Sequence, residues 1–181
     1  MKLSQYVRHG LDMAGWYDQA AAEIGSLCRQ RGWDANRFID VLAITSPRCA
    51  VRSNVRNTIH YMLSGRLLPG TLACTNYAIA HYEATGELST RPWRGWKVRS
   101  FAAALKGDQR SVVVDVWICR ALGIEHTSLQ HGSCRQSAKD RIIGLAYRWD
   151  LPPCQTQAAL WAGVRRHNHR TTEFMPVLAE G

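Results

Sequence analysis

Apolar residues recur every three or four positions along most of this chain, which is the spacing of one face of an α-helix. The first such stretch runs from about Gln5 to Arg31 and predicts one long amphipathic helix. Asp34 stands where it would cap a second helix that runs to Ile44. Further helices are predicted from about Ala50 to Leu63 and from Thr71 to Ala84.

The second half of the chain continues this spacing. After a helix that ends at about Lys106, the apolar run Val112–Val114 looks like a strand. No second strand stands nearby to pair with it, so we predict an extended entry into a buried helix that ends at Gly123. Two more helices are predicted over about Ser133–Arg148 and Gln155–Arg166.

These elements predict an all-α protein of about seven to nine helices. Neither a linker nor a repeat divides the chain. We therefore predict a single domain over residues 1–170, followed by a loosely ordered C-terminal tail over residues 171–181.

Composition narrows the class of protein. No apolar run approaches the length of a membrane span, and the first residues lack the apolar stretch of a signal peptide, so we expect a soluble cytoplasmic protein. Seven scattered histidines and six scattered cysteines show no ligand spacing, and we expect no metal or other cofactor. Reduced thiols are expected at Cys28, Cys49, Cys74, Cys119, Cys134 and Cys154.

The charge balance indicates a polyanionic partner. The formal net charge is +9, and only four of the 23 cationic side chains are lysines. Arginine binds phosphate through a planar fork and stacks on bases, so this composition suits a nucleic-acid partner. A basic surface that is merely solvated explains the composition equally well. The sequence carries no indication of an oligomeric state.

One lysine and one carboxylate suggest chemistry on that partner. Asp115 follows Lys97 by 18 residues, and the two flank a predicted helix and the extended segment after it. An amine can attack C1′ of a nucleoside, and a carboxylate can activate a nucleophile and stabilise the cationic transition state. This pair would suit cleavage of a base–sugar bond.

The same residues resemble the helix-hairpin-helix DNA glycosylase superfamily, which includes endonuclease III. Pro92, Gly95 and Lys97 match the proline, second glycine and lysine of its Leu-Pro-Gly-x-Gly-x-Lys hairpin, and Val114-Asp115 matches its Val-Asp pair. The segment Val41–Arg48, at the end of the second predicted helix, is similar to the superfamily's helix that ends in Leu-Ser-x-Gln. The likeness covers about residues 35 to 123.

This chain departs from the superfamily in several places. Trp93 replaces the first glycine of the hairpin, where a backbone amide approaches a phosphate closely, and Trp117 stands where histidine is common. The segment between Arg48 and Lys97 is shorter than in endonuclease III. The cysteine quartet of the iron–sulfur members is missing.

The resemblance implies a set of site residues. Asp115 would be the catalytic carboxylate and Lys97 the nucleophile or a phosphate anchor, while Arg48 would fill the gap left by a flipped base. A base pocket is expected from Trp93, Trp96 and Trp117. Contacts to the DNA backbone are expected from Arg94, Gly95, Arg99, Lys106 and Arg110.

Each of these residues also has an ordinary structural interpretation. Asp115 would serve as a helix N-cap, the tryptophans as core residues, and the cations as solvated surface charges. Two other functions therefore stay open. One is a base-modifying transferase on the same fold, as in phage-encoded relatives that act on thymine-derived bases, and the other is a non-catalytic DNA-binding module.

Overall fold

The computed structural model describes residues 2–89 and 95–170, and over these ranges it is all-helical, as predicted. Nine α-helices and two short 3-10 helices are present, and no strand occurs in the described ranges. None of the helices described is both long and apolar enough to cross a membrane. The α-helices are α1 (Leu3–His9), α2 (Trp16–Arg31), α3 (Ala35–Thr45), α4 (Val51–Ser64), α5 (Ala73–Thr85), α6 (Gly95–Leu105), α7 (Val116–Leu122), α8 (Gly132–Trp149) and α9 (Pro153–His167).

Contacts between residues divide the described chain into two compact units. The first unit contains residues 2–19 and 103–170, and the second contains residues 20–89 and 95–102. The tail predicted over residues 171–181 lies outside the described residues, as do Pro92, Trp93 and Arg94. The single domain over residues 1–170 stays a prediction.

The first unit is built around α9, whose inner positions from Thr156 to Leu160 are almost fully buried. α1 lies directly against α9, and a glycine on each side of the contact permits this approach. A side chain at Gly10 would collide with the Ala159 carbonyl, and one at Gly163 would collide with the Tyr6 carbonyl.

This contact corrects the prediction of one helix from Gln5 to Arg31. α1 ends at His9, a 3-10 turn follows over Leu11–Met13, and α2 begins only at Trp16. Gly10 leaves helical geometry with φ −120° and ψ 15°, because the chain turns there against α9. The apolar spacing continues across the break, which is why the sequence pattern did not reveal it.

The extended entry to α7 is confirmed. Val112, Val113 and Val114 are buried and non-helical, and they pair with no strand in the described chain. α7 then begins after Asp115 and ends at Gly123, whose φ of 67° is the left-handed conformation that glycine adopts freely. This buried segment fixes the backbone position of Asp115, from which its side chain extends.

In the second unit, α3 is buried continuously from Phe38 to Thr45. Asp34 caps it as predicted, by accepting a hydrogen bond from the Arg37 amide at 3.0 Å. Polar contacts attach the neighbouring helices. Asn54 of α4 donates to the Leu42 carbonyl at 3.0 Å, and Tyr82 of α5 donates to Asp40 at 3.1 Å.

Candidate functional site

Asp115 is the N-cap of α7 and lies half-buried in the first unit. Its backbone is extended, with φ −107° and ψ −173°. Its Oδ1 atom accepts hydrogen bonds from the amides of Trp117 at 2.9 Å and Ile118 at 3.0 Å. The predicted capping role is therefore present, and it orients the carboxylate.

A second helix holds the other carboxylate oxygen. Trp161 of α9 donates from its indole Nε1 to Oδ2 of Asp115 at 3.1 Å. Trp161 is half-buried, and its indole N–H is bound to the carboxylate. Asp115 thus accepts three hydrogen bonds from two elements, and its orientation is fixed from both sides.

Trp161, which binds this carboxylate, belongs to a group of two tryptophans and two arginines whose side chains contact one another. The guanidinium carbon of Arg165 lies 4.7 Å from the ring centroid of Trp161 and 5.2 Å from that of Trp117. That of Arg120 lies 4.4 Å from the Trp117 centroid. These distances are typical of cation–π contacts. We call the five side chains the Asp115 cluster: Asp115, Trp117, Arg120, Trp161 and Arg165.

Arg165 is the half-buried cation of the cluster. Burial lowers the pKa of its guanidinium from the ordinary value, while the negative charge of Asp115 opposes that shift. Arg120 is exposed to solvent. The cluster therefore holds one cation partly withdrawn from water and one at the surface, beside a single carboxylate.

Buried side chains of the first unit pack against the cluster. The Tyr17 hydroxyl donates to Oε1 of Gln157 at 2.7 Å. Burial, and secondarily the charge of Asp115, raises the pKa of Tyr17 well above its ordinary value. The Trp16 ring lies 5.8 Å from the Trp161 ring. Tyr17 therefore stays neutral and serves as packing behind the carboxylate.

Sequence reasoning missed Arg120 of α7 and three residues that share one face of α9. Gln157, Trp161 and Arg165 follow each other at intervals of four, so they lie one above another on the helix. This four-residue interval indicates a common helix face, but it does not distinguish a functional face from a packed one. Their contact with Asp115 could not be found from sequence spacing, because α7 and α9 are far apart along the chain.

Lys97 belongs to the second unit, where it is half-buried against the turn between α3 and α4. Its Nζ atom donates to Oγ of Ser46 at 3.1 Å and to the Ser46 carbonyl at 3.4 Å. Burial raises the pKa of the nearby Cys49 thiol, and the charge of Lys97 opposes that increase. The lysine thus lies at the junction that resembles the Leu-Ser-x-Gln segment.

Arg48 occupies the same turn and is exposed. Its φ of 58° lies in the left-handed region, which a non-glycine residue adopts at a cost of about 1 kcal/mol. A strained, exposed arginine is a feature that function commonly retains. Its role as the residue that fills the gap left by a flipped base stays a prediction.

The remaining predicted residues are distributed between the units. In the second unit, Gly95 is the buried first residue of α6, Trp96 is half-buried and Arg99 is exposed. Lys106 and Arg110 are exposed in the first unit. Because Lys97 and Asp115 belong to different units, their convergence on one nucleotide stays a prediction.

Two other features of the described residues are separate from these predictions. A shallow cavity of about 190 Å³ in the first unit is lined by residues such as Glu125, Cys134 and Arg141, and it contains none of the predicted site residues. No group of three or more histidine, cysteine or acidic side chains with the geometry of a metal site occurs in the ranges 2–89 and 95–170.

Comparison with known proteins gives one match. Residues 8–168 match the model of DUF7178, which is described as a family of unknown function, and the chain therefore belongs to that family. No curated protein and no solved structure matches the chain.

Proposed function

We propose that this protein is a cytoplasmic DNA N-glycosylase that removes a damaged or modified base, with Asp115 as its essential carboxylate. The observation that carries the proposal is the half-buried carboxylate, held by Trp117, Ile118 and Trp161, on which the charge of Arg165 acts. A fixed carboxylate at a surface that attracts phosphate is the arrangement that base excision requires.

The chemistry assigns a part to each member of the Asp115 cluster. Breaking the base–sugar bond develops positive charge on the sugar, and the fixed negative charge of Asp115 lowers the energy of that state. The base must first leave the helical stack, and the expected pocket residue Trp117 is half-buried with Arg120 and Arg165 over its ring. Arg120 supplies charge for the flanking phosphates.

Lys97 determines which of two reactions follows. As a nucleophile, its deprotonated amine would attack C1′, the base would leave with the bond electrons, and loss of a proton and ring opening would give a Schiff base. Elimination of the 3′ phosphate would then cut the strand. As a phosphate anchor, Lys97 would stay charged and water would attack C1′ instead.

Borohydride trapping separates these two roles. If Lys97 is the nucleophile, sodium borohydride should reduce the Schiff base to a stable protein–DNA adduct, visible as a shifted band on a denaturing gel. Lys97→Ala and Lys97→Arg should both abolish the adduct. Because arginine keeps the positive charge, loss of the adduct in Lys97→Arg shows that the amine itself is needed. Trapping that persists in both variants would contradict the assignment, and a wild-type protein that releases base without trapping would identify Lys97 as an anchor.

A free-base assay tests the proposal itself. Oligonucleotides that each carry one uracil, hydroxymethyluracil, alkylated or oxidised base are incubated with the protein, and released bases are identified by mass spectrometry. Release of at least one modified base supports the glycosylase. An altered mass of a base that stays in the strand would instead indicate a transferase. If every base stays in the strand with its mass unaltered, both the glycosylase and the transferase are refuted.

A non-catalytic DNA-binding module is the second candidate, and one observation favours it. Both oxygens of Asp115 already accept hydrogen bonds from the protein, so a purely structural role accounts for the residue. Such a module would bind DNA with an affinity that falls steeply as salt increases, and would release no base under any condition.

A further inference from the structure

We infer that Trp117 is the platform of a phosphate-binding surface, on which Arg120 and Arg165 hold the DNA backbone, and is not a ring on which a flipped base stacks. This inference rests on the proposed function and names the residues that would bind the backbone of its DNA substrate. It comes from the two guanidinium groups over one indole ring, with their carbons 4.4 and 5.2 Å from its centroid.

The ring of Trp117 orients cations. A base that leaves the duplex needs an open aromatic face on which to stack, whereas arginines lie over this ring. A guanidinium group carries five N–H donors, and its attraction to a ring is not a hydrogen bond. The contact with Trp117 therefore restrains each arginine without consuming the planar fork of donors that fits a phosphate.

Arg120 is the member of this pair that solvent reaches. Its side chain is exposed, and no residue in the ranges 2–89 and 95–170 accepts a hydrogen bond from its guanidinium group. An arginine in the last turn of α7 also has a simpler interpretation, because cations are favoured at the C-terminus of a helix. That interpretation requires no contact with Trp117 and no DNA, so the two are separable by experiment.

The positive charges of this surface exceed the negative charge beside them. Both guanidinium carbons lie within 5.2 Å of one centroid, so the two charges are at most about 10 Å apart, the Debye length of 0.1 M salt. The charge of Arg170 acts on Arg165, and the Arg170 amide donates to the Arg165 carbonyl at 2.9 Å. Asp115 supplies the negative charge that acts on Arg165. A bound phosphate would relieve the repulsion among the arginines.

A phosphodiester backbone suits several neighbouring cations better than a single small anion does. Duplex DNA carries one negative charge about every 1.7 Å along its axis, so neighbouring arginines each find a phosphate. The net charge of +9 attracts such a polyanion from a distance. We therefore assign the surface to the DNA backbone, which it would bind whatever the base sequence.

Binding to an unmodified DNA duplex tests the surface without depending on catalysis. Fluorescence anisotropy at several salt concentrations gives the affinity and its salt dependence. Arg120→Gln should weaken binding about tenfold and reduce the slope of log affinity against log salt by about one, the loss of one phosphate contact. Arg148→Gln removes the same charge from α8, where that guanidinium donates to the Gly144 carbonyl, and should leave the slope unchanged. Equal effects of the two variants, or wild-type binding by Arg120→Gln, would overturn the inference.

Trp117 carries no charge, so its role as a platform has a signature of its own. Trp117→Leu should reduce the salt slope although it removes no cation, and Arg120→Gln should add little to it, because the arginine has already lost its platform. Trp117→Phe, a milder change for the fold, should give an intermediate loss, since phenylalanine attracts cations less than tryptophan does. Circular dichroism identifies the folded variants. A wild-type slope in every folded variant of Trp117 would overturn the platform.

Base release by the same proteins separates this inference from the proposed function. Binding that Arg120→Gln and Trp117→Leu weaken as expected, with no release of any base, would refute the glycosylase but keep the surface. Base release by Arg120→Gln with wild-type affinity and rate would refute the surface but keep the glycosylase. Tighter binding of an RNA duplex of the same sequence would overturn the assignment to DNA.

Discussion

At the scale of single residues, Asp115 illustrates how one side chain serves structure and proposed chemistry together. As an N-cap it satisfies two backbone amides of α7, and it also accepts the indole hydrogen bond of Trp161. The cap could be predicted from the sequence, because aspartate after an extended apolar run is a common helix start. Its partner on α9 could not, because nothing in the local pattern distinguishes Trp161 from a core tryptophan.

The strained backbone of Arg48 gives a prediction at this scale. Arg48→Gly should leave the free energy of unfolding unchanged or raise it by up to about 1 kcal/mol, because glycine adopts positive φ without steric cost. If Arg48 enters the base stack, the same variant should weaken DNA binding and slow base release. Thermal unfolding, fluorescence anisotropy and the free-base assay measure the three effects.

Asp150→Gly is the matched control, since Asp150 also has positive φ, at 51°, as the C-cap of α8. It should relieve comparable strain. A DNA affinity of Arg48→Gly equal to that of the wild-type protein would show that Arg48 has no role in binding.

At the scale of elements, the sequence predicts the bounds of the helices better than their packing against one another. The entry Val112–Val114, the cap at Asp34 and the stop at Gly123 follow from local rules, and all three are observed. The break between α1 and α2 depends on a contact with α9, more than 140 residues away. A local pattern cannot contain such a contact.

That contact gives a prediction for the fold. Gly163→Ala should lower the free energy of unfolding by about 1–3 kcal/mol or more, because the new methyl group would collide with the Tyr6 backbone and force α1 away from α9. Urea denaturation measures the change. Since α9 also carries Trp161, base release should fall as well.

Gly144→Ala is the control within a neighbouring helix, because a methyl group at Gly144 of α8 meets no atom within 4 Å. It should raise the free energy of unfolding by about 0.5–1 kcal/mol, the helix preference of alanine over glycine. A Gly163→Ala protein as stable as the Gly144→Ala protein would refute the close contact.

At the scale of the whole molecule, the proposed reaction requires residues from two units. Asp115 belongs to the first and Lys97 to the second. The resemblance over residues 35–123 takes in both, and it is the reason to expect them at one nucleotide. The net charge of +9 acts at this scale too, because a positive charge of this size attracts polyanions from a distance, as the proposed DNA substrate requires.

Buried thiols give the molecule a predicted dependence on alkaline pH. Burial, with the charge of Asp115, raises the pKa of Cys119 to about 12, and burial, with the charge of Asp18, raises that of Cys154 to about 11. An unfolded thiol loses its proton near pH 9, so above that pH the unfolded chain binds fewer protons than the folded one. The stabilisation is complete below about pH 9 and declines as the pH rises towards 11 and 12.

Urea denaturation at pH 8, 9 and 10 under reducing conditions measures this decline. Each thiol contributes at most about 1.4 kcal/mol per pH unit within its window. Cys119→Ala should flatten the decline, whereas Cys134→Ala, at a half-buried thiol, should change it little. A free energy of unfolding that stays constant from pH 8 to 10 would contradict the burial of these thiols.

The most direct test of the central claim measures stability and base release on one variant, Asp115→Asn. Asparagine caps helices about as well as aspartate. The bond from Trp161 and the attraction between Asp115 and the half-buried Arg165 would be lost, so the melting temperature should fall by about 2–4 °C. Base release should fall by a factor of about 100 or more, because the negative charge opposite the sugar is gone. A folded Asp115→Asn protein that releases base at the wild-type rate would contradict the claim that this carboxylate is catalytic.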